Sequence, residues 1–360
     1  MMGRHHARGL MGLFAALLLS GVASAQNLTL WNTYFGQCSQ AHDQANWQAV
    51  DNFCQAAEKE AYKFGNMSSQ VGDINNVYGN IFKDIGRYAE AEKAYKLALA
   101  IREQNVNNCN NCVAILAETQ NNLGGLYVLQ GRLNDAETLQ RKALALKEKV
   151  LGRNHAHVAH TLNNLALTLY NQGNTIEAET LYLRAMAIYV SQAPNSNALA
   201  NTYNNLGILY SDQKKSDEAI VFYEKALQLR IKILLENHPD LAVSYNNLGN
   251  IYIDLAAYEK ALPLLEKSWG IRQANLPDTH ADLGQSQENI GRALAGLTRY
   301  AEAEPHLRDG LKRREASYGK NSGPVAYVLV QLAPVLRATK RIKEATTLEK
   351  RAATIRKNLK

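Results

Sequence analysis

After Leu19 the chain has no apolar run long enough to cross a bilayer, so no membrane span is expected in the rest of it. It also lacks a Gly-rich phosphate loop, a His-Glu-x-x-His pair and a serine in a nucleophile-elbow setting. Nucleotide, metalloprotease and serine-hydrolase chemistry therefore have no residues to work with, and the chain is not read as an enzyme. No linker or low-complexity stretch divides it. Cysteine is scarce, at four residues, and none follows the apolar run near the start, which argues against a lipid anchor there. Neither sign of charge dominates: 40 basic side chains face 33 acidic ones. Of the formal +7, Arg4 and Arg8 carry two, which leaves +5 for the remainder, concentrated between Lys340 and Lys360. A basic patch can be a nucleic-acid footprint. A solvated helix face explains this one more simply, so no nucleic-acid partner is expected.

What is present begins with a three-part leader. Arg4 and Arg8 precede an apolar run from Leu10 to Leu19, and Ala23-Ser24-Ala25 has the small-x-small form of a cleavage site. That order reads as a secretory signal peptide over residues 1–25 rather than an amphipathic first helix. The mature chain, residues 26–360, is expected to be exported, either periplasmic or secreted.

The remainder repeats one phrase. Gln120-Asn121-Asn122-Leu123-Gly124 returns as Thr161-Leu162-Asn163-Asn164-Leu165-Ala166, then as Tyr203-Asn204-Asn205-Leu206-Gly207 and Tyr245-Asn246-Asn247-Leu248-Gly249. A worn copy is Glu288-Asn289-Ile290-Gly291. The small residue that ends the phrase stands at 124, 166, 207, 249, 291 and 333, in steps of 41 or 42, and a fixed period of this size marks a stacked repeat. Twelve residues on comes an alanine (Ala91, Ala136, Ala178, Ala219, Ala261, Ala303, Ala345), and seven further another small residue, from Ala98 to Gly310. Helices pack closely only where side chains are small, so these offsets mark helix-on-helix contacts. Polar turns such as Gln130-Gly131-Arg132 lie between them, with glycine supplying the left-handed end of a helix. The unit is a helical hairpin and the fold class is all-α.

This spacing of small residues resembles the tetratricopeptide repeat (TPR), whose usual period is about 34. The longer period, with Leu151-Gly152-Arg153-Asn154-His155-Ala156-His157-Val158-Ala159 and Glu236-Asn237-His238-Pro239-Asp240-Leu241-Ala242 ahead of the phrase, is similar to the repeats of kinesin light chains. The resemblance covers nearly all of residues 26–360. It implies a right-handed superhelical solenoid of about eight helix-turn-helix hairpins, in which units 28–65 and 324–357 are atypical caps. The first helix of each pair would line a concave groove.

Cys38 and Cys54 lie almost symmetrically about the turn near Ala45-Asn46. Helices rise equally from their turn, so the two cysteines should stand level, and an oxidising compartment favours a disulfide between them. Cys109 and Cys112 form a Cys-x-x-Cys in an inserted loop. Val113 in place of histidine excludes haem attachment. A small structural disulfide is the favoured reading, with a redox-active pair and a zinc site as alternatives.

By the family resemblance, the second, fifth, ninth and twelfth positions of the 34-residue frame face the groove, the small residue being eighth. The fifth reads Asn76, Asn121, Asn163, Asn204 and Asn246, then Glu288 and Val330. A carboxamide both donates and accepts, so such a row could hold the backbone of an extended peptide. For these first asparagines, peptide binding and a purely structural role both stay open. The second of each pair (Asn122, Asn164, Asn205, Asn247, Asn289) is expected to bond between helices. The ninth position supplies Asn80, Leu167, Ile208, Asn250 and Arg292, and Tyr170 stands at the twelfth, which suggests an apolar centre between asparagines. His155, His157 and His160 could bind a transition metal, but His155 occupies the loop place of His238 and His280, which favours a helix-start role. No metal and no cofactor are expected. The function read from the sequence is binding of a protein or peptide segment in the groove, without catalysis. The alternatives are a structural scaffold of an envelope or secretion complex that uses the convex face or ends and, further off, a thiol oxidoreductase on Cys109 and Cys112.

Overall fold

The computed structural model describes residues 26–359 apart from residues 43, 45 and 110, and the expected leader, residues 1–25, lies outside them. Among the described residues are sixteen α-helices and no strand, an all-α repeat fold of the solenoid class. None of these helices is long and apolar enough to cross a membrane. The chain divides into two compact units, one ending at Ala178 and one starting at Glu179. The first holds α1 (residues 26–42), α2 (Trp47–Tyr62), α3 (Ser69–Asp84), α4 (Tyr88–Gln104), α5 (Cys112–Leu129), α6 (Leu133–Leu151), α7 (Ala156–Asn171) and the start of α8 (Thr175–Gln192). The second holds the rest of α8, then α9 (Asn197–Asp212), α10 (Ser216–Ile233), α11 (Pro239–Asp254), α12 (Tyr258–Asn275), α13 (Ala281–Gly296), α14 (Tyr300–Tyr318), α15 (Gly323–Ala338) and α16 (Ile342–Asn358). Hairpins are α3/α4 and α5/α6 in the first unit, and α9/α10, α11/α12, α13/α14 and α15/α16 in the second. Each second helix also packs on the first helix of the hairpin that follows it within the unit.

Local chemistry explains where these helices begin and end. Several first helices start on a side chain that accepts an otherwise orphaned backbone N–H. Ser68 and Ser196 do so through Oγ, and His155, His238 and His280 do so through Nδ1 at 3.1 to 3.2 Å. The helix-start role expected for His155 is what the structure shows. First helices, capped in this way or not, end on a residue in the left-handed region, closed by a bond across six residues such as Arg132 N–H to the Tyr127 carbonyl at 2.8 Å. Gly131 fits this at φ 74°, but Lys214, Ala256, Thr298 and Lys340 occupy the equivalent place at φ 56° to 63°. For such residues the conformation costs roughly 1–2 kcal/mol. The bond across the turn persists, as from Arg299 N–H to the Leu294 carbonyl at 2.9 Å, so the turn does not require glycine.

Hairpins close where a small residue meets a large one sixteen positions later. A Cβ on Gly79 would lie 2.4 Å from the Tyr95 ring, one on Gly207 2.6 Å from Tyr223, and one on Gly291 2.6 Å from Leu307. The alanines at the second offset, among them Ala91, Ala136, Ala219, Ala261 and Ala303, are fully buried. In the terminal hairpin Cys38 and Cys54 form a disulfide with both side chains buried, and Cys109 and Cys112 close the loop before α5.

A second regular contact joins hairpin to hairpin, and sequence reading did not single it out. Eleven residues after the alanine, the second helix carries a cation at Arg102, Lys147, Arg230, Arg272 and Arg314. Arg230 Nη1 donates to the Asp240 carbonyl at 2.9 Å and to Ser244 Oγ at 2.7 Å on the next first helix. Arg272 repeats this with the Asp282 carbonyl and Ser286, and Arg102 with the Ile115 carbonyl and Thr119. Lys147 reaches the His157 carbonyl and Glu118. Burial pulls the pKa of Arg102, Arg230 and Arg272 below the usual arginine range, opposed by Asp73, Asp240 and Asp282 respectively. A charge so far from water is tolerable only with these partners.

Two neighbouring glycines test the hairpin contact. Gly124→Ala pushes a methyl to 2.8 Å from Gln140 and should cost about 1–3 kcal/mol in a urea titration. Gly125→Ala meets nothing within 4 Å and should stabilise the helix by up to about 1 kcal/mol. For the buried clamp, Arg230→Ala should cost about 3 kcal/mol in the same titration, because Ser244 and Asn201 lose their donor.

Candidate ligand-binding face

The paired asparagines form a ladder between first helices. In the first unit Asn122 Nδ2 donates to Asn76 Oδ1 at 3.4 Å, and Asn164 Nδ2 to Asn121 Oδ1 at 3.3 Å. In the second, Asn247 Nδ2 donates to Asn204 Oδ1 at 2.9 Å and Asn289 Nδ2 to Asn246 Oδ1 at 3.0 Å. The second asparagine of each of these pairs has the inter-helix role the sequence suggested, and its acceptor is the first asparagine of the preceding hairpin. Asn121, Asn204 and Asn246, placed on the groove surface by the sequence reading, are buried at 0%, 7% and 5% exposure. Their carboxamide oxygens face the neighbouring hairpin because a buried acceptor needs a donor and the next asparagine supplies one.

The remaining candidates are more open. Asn76, Asn80, Asn163, Tyr170, Ile208, Asn250 and Arg292 are half-buried and Leu167 is exposed. Asn80 Oδ1 accepts from the Tyr95 hydroxyl at 2.5 Å, which ties it to its own hairpin. In the second unit the polar groups of Asn250 and Arg292 are less engaged. Asn250 Oδ1 is enclosed without a hydrogen-bond partner. Arg292 reaches Asn289 Oδ1 and Asp254 Oδ1 only at 3.4 Å each, and its guanidinium stands 5.7 Å from the centre of the Tyr327 ring. Tyr327 and Val243, both exposed, hold the second frame position. The repeat register points to that position, but its residue types vary from hairpin to hairpin, so no conspicuous motif marks them.

Glu288 takes the fifth position in α13 and is 4% exposed. It accepts from Arg314 Nη2 at 3.4 Å. Burial raises its pKa above the ordinary carboxyl value, against the opposing pull of Arg314 and Arg292. In α7 the three histidines do different things. His155 caps the helix and stacks on His157 with ring centres 5.3 Å apart, while His160 Nδ1 lies 3.7 Å from Glu118. Burial lowers the pKa of His160. Burial would raise Glu118, but Lys147 and His160 outweigh it and the pKa falls. Among the described residues no group of three or more His, Cys, Asp or Glu side chains is arranged to hold a metal ion.

The buried Glu288 gives a pH-dependent prediction. Because its folded pKa is raised, its favourable contribution is complete below the unfolded carboxyl pKa and is lost as pH rises through the folded value. Glu288→Gln should therefore match the parent near pH 4 and exceed it in urea midpoint at pH 7, with the gap opening between. A gap independent of pH would mean that the carboxylate carries no such penalty.

The tetratricopeptide-repeat profile matches residues 72–105, 115–191, 198–274 and 282–358. No curated protein matches the chain. Among solved structures, aspartyl phosphate phosphatase F from Bacillus subtilis is similar with a TM-score of 0.59 at 15% identity, over 86% of this chain and 75% of that one. The apo form of RapI gives 0.57 at 14% identity, over 80% and 98%. The nearly identical TPR-like repeats of a kinesin light chain candidate from Podosopora anserina give 0.48 at 22%, over 56% and 96%. At such identities the first two likenesses show the fold alone. Profile and fold agree, and the chain belongs to the tetratricopeptide-repeat family.

Proposed function

We propose that the chain is a non-catalytic TPR module that binds a protein or peptide segment outside the cytoplasm, after loss of residues 1–25. The segment lies extended on the face formed by first helices, in the second unit across α9, α11, α13 and α15. The observation that carries this reading is the pairing of an enclosed, unpartnered Asn250 Oδ1 with an Arg292 held only by long bonds. A peptide carbonyl can accept from the guanidinium, and the half-buried Asn250 carboxamide, held by no hydrogen bond at Oδ1, can turn to meet the peptide backbone. Ile208, Val243 and Tyr327 supply apolar surface beside them. Neighbouring helices lie about 8–10 Å apart, and an extended chain advances ~3.3 Å per residue. Each hairpin would therefore meet roughly every third residue of the ligand. The two disulfides, with no free cysteine among the described residues, support an oxidising compartment.

The test is a pull-down from an extracellular or periplasmic extract with residues 26–360 and an Asn250→Ala/Arg292→Ala variant. A captured partner should bind the variant at least about tenfold more weakly, about 1.4 kcal/mol, while circular dichroism stays unchanged. A partner held equally by both proteins would move function to the outer face or the ends.

A further inference from the structure

Two of the contacts that tie later hairpins together are missing at α2, which is held to α3 by the Tyr78 hydroxyl on Glu58 at 3.0 Å while His42 of α1 reaches Asp84 at 3.0 Å, and their absence leaves a cleft. Glu60 stands where Arg102, Lys147, Arg230 and Arg272 stand in later hairpins, and it bonds Lys63 of its own chain segment at 2.7 Å instead of the next first helix. Val50 stands at the place of Glu92, Glu137 and Glu304. Those acids tie the second helix to the following hairpin: Arg132 Nη1 reaches Glu92 at 3.1 Å, Gln172 reaches Glu137 at 3.0 Å and Arg341 reaches Glu304 at 2.5 Å. Ile220 and Leu262 are also apolar there, but their hairpins keep the cation at Arg230 and Arg272. Hairpin α1/α2 lacks both ties. Arg87, the counterpart of Arg132, turns to Glu90 on its own helix and covers the Phe82 ring. No hydrogen bond or ion pair joins α2 to α4 among the described residues. Correspondingly, α2 packs more sparsely on α3 than later second helices pack on the hairpins that follow them.

The result is a cleft of about 910 Å³ with α2 and α4 as walls and α3 as floor. Trp47, Ile85 and Leu97 are 45%, 45% and 37% exposed at its edges, and Val50 and Ile81 form its base. Along α2 its lining runs from Trp47 to Glu58, about 16 Å at 1.5 Å per residue, or three helical turns. A trough of three helices with that length matches the helix-in-groove mode of recognition, read by apolar anchors at i, i+3/i+4 and i+7. Charge sets the flank. Glu90 pairs with Arg87, so Asp51 and Glu58 on the α2 wall face Lys93 alone among the unpaired rim ions. Neither Asp51 nor Glu58 meets a cation: Asp51 accepts from Gln55, and Glu58 accepts from the Tyr78 hydroxyl at 3.0 Å. We infer that this cleft is a second docking site, separate from the first-helix face, for an amphipathic helix of about three turns with a basic flank against Asp51 and Glu58.

The probe is a fluorescein-labelled 18-residue helical peptide with a leucine stripe and lysine flanks, beside the same peptide with glutamate flanks. Anisotropy with residues 26–360 should show the lysine form binding about tenfold more tightly. Asp51→Lys/Glu58→Lys should invert that preference, and Leu97→Asp should abolish binding of both peptides while helicity by circular dichroism is unchanged. The inference is overturned if neither peptide binds, or if binding survives Leu97→Asp. It is equally overturned if the charge-reversed variant keeps the original preference. Occupation by a small amphiphile or by a second copy would also overturn it. The first would appear as anilinonaphthalene sulfonate fluorescence lost in Leu97→Asp without peptide binding, the second as Leu97-dependent dimerisation in sedimentation. Loss of Asn250 and Arg292 leaves this site untouched, so the two binding readings fail independently.

Discussion

Everything in this fold depends on how closely two helices can approach at one point. Where Gly79 faces Tyr95, or Gly207 faces Tyr223, a single methyl group would collide with the ring. The ring in turn fills the space the missing side chain leaves, at the density of a protein interior. That contact fixes the angle and register of each hairpin. The buried alanines one helical stretch further on continue it. Helix propensity alone would not hold these segments, because in proteins most helical stability comes from packing an apolar face against a neighbour.

Hairpins so formed still have to stack, and they stack through polar groups rather than apolar ones alone. The clamp cation reaches a carbonyl and a hydroxyl of the next first helix, and the asparagines of neighbouring first helices bond oxygen to amide. Both arrangements are directional, so they specify one register where apolar packing would tolerate several. Both also remove their side chains from any ligand. The asparagine repeat is therefore in large part an internal fastener, and the chemistry open to a partner falls to the positions between its rungs. Asn250 and Arg292 are such positions, because the ladder engages Asn246 and Asn289 beside them.

The amino-terminal hairpin follows a different rule. A covalent bond between Cys38 and Cys54 holds its two helices, so it does not depend on the full pattern of small residues. With Val50 and Glu60 in place of the usual acid and cation, it rests on α3 without the ties found later. The departure from the repeat that would weaken an interior hairpin here opens an apolar surface.

The period of 41 or 42, the glycines and alanines at fixed offsets and the polar turns determined the helical hairpin without any coordinates, because close helix packing permits only small side chains at those points. The histidine that starts three of the first helices was legible for a similar reason: a cap sits at a fixed place relative to its helix. The fate of the asparagines was legible only in part: the second of each pair was expected to bond between helices, but that its acceptor is the first asparagine of the preceding hairpin, as when Asn164 bonds Asn121, is decided by the approach of α5 to α7. Nor could the sequence show that Lys147 and Arg230, ordinary surface residues by type, lie buried against a neighbouring helix, or that Lys214 and Thr298 hold a left-handed turn. Sequence fixed what each segment could become on its own and which contacts demand small residues. Tertiary structure decided which polar atoms face a neighbour and which face a ligand, since that depends on distances between residues about forty positions apart.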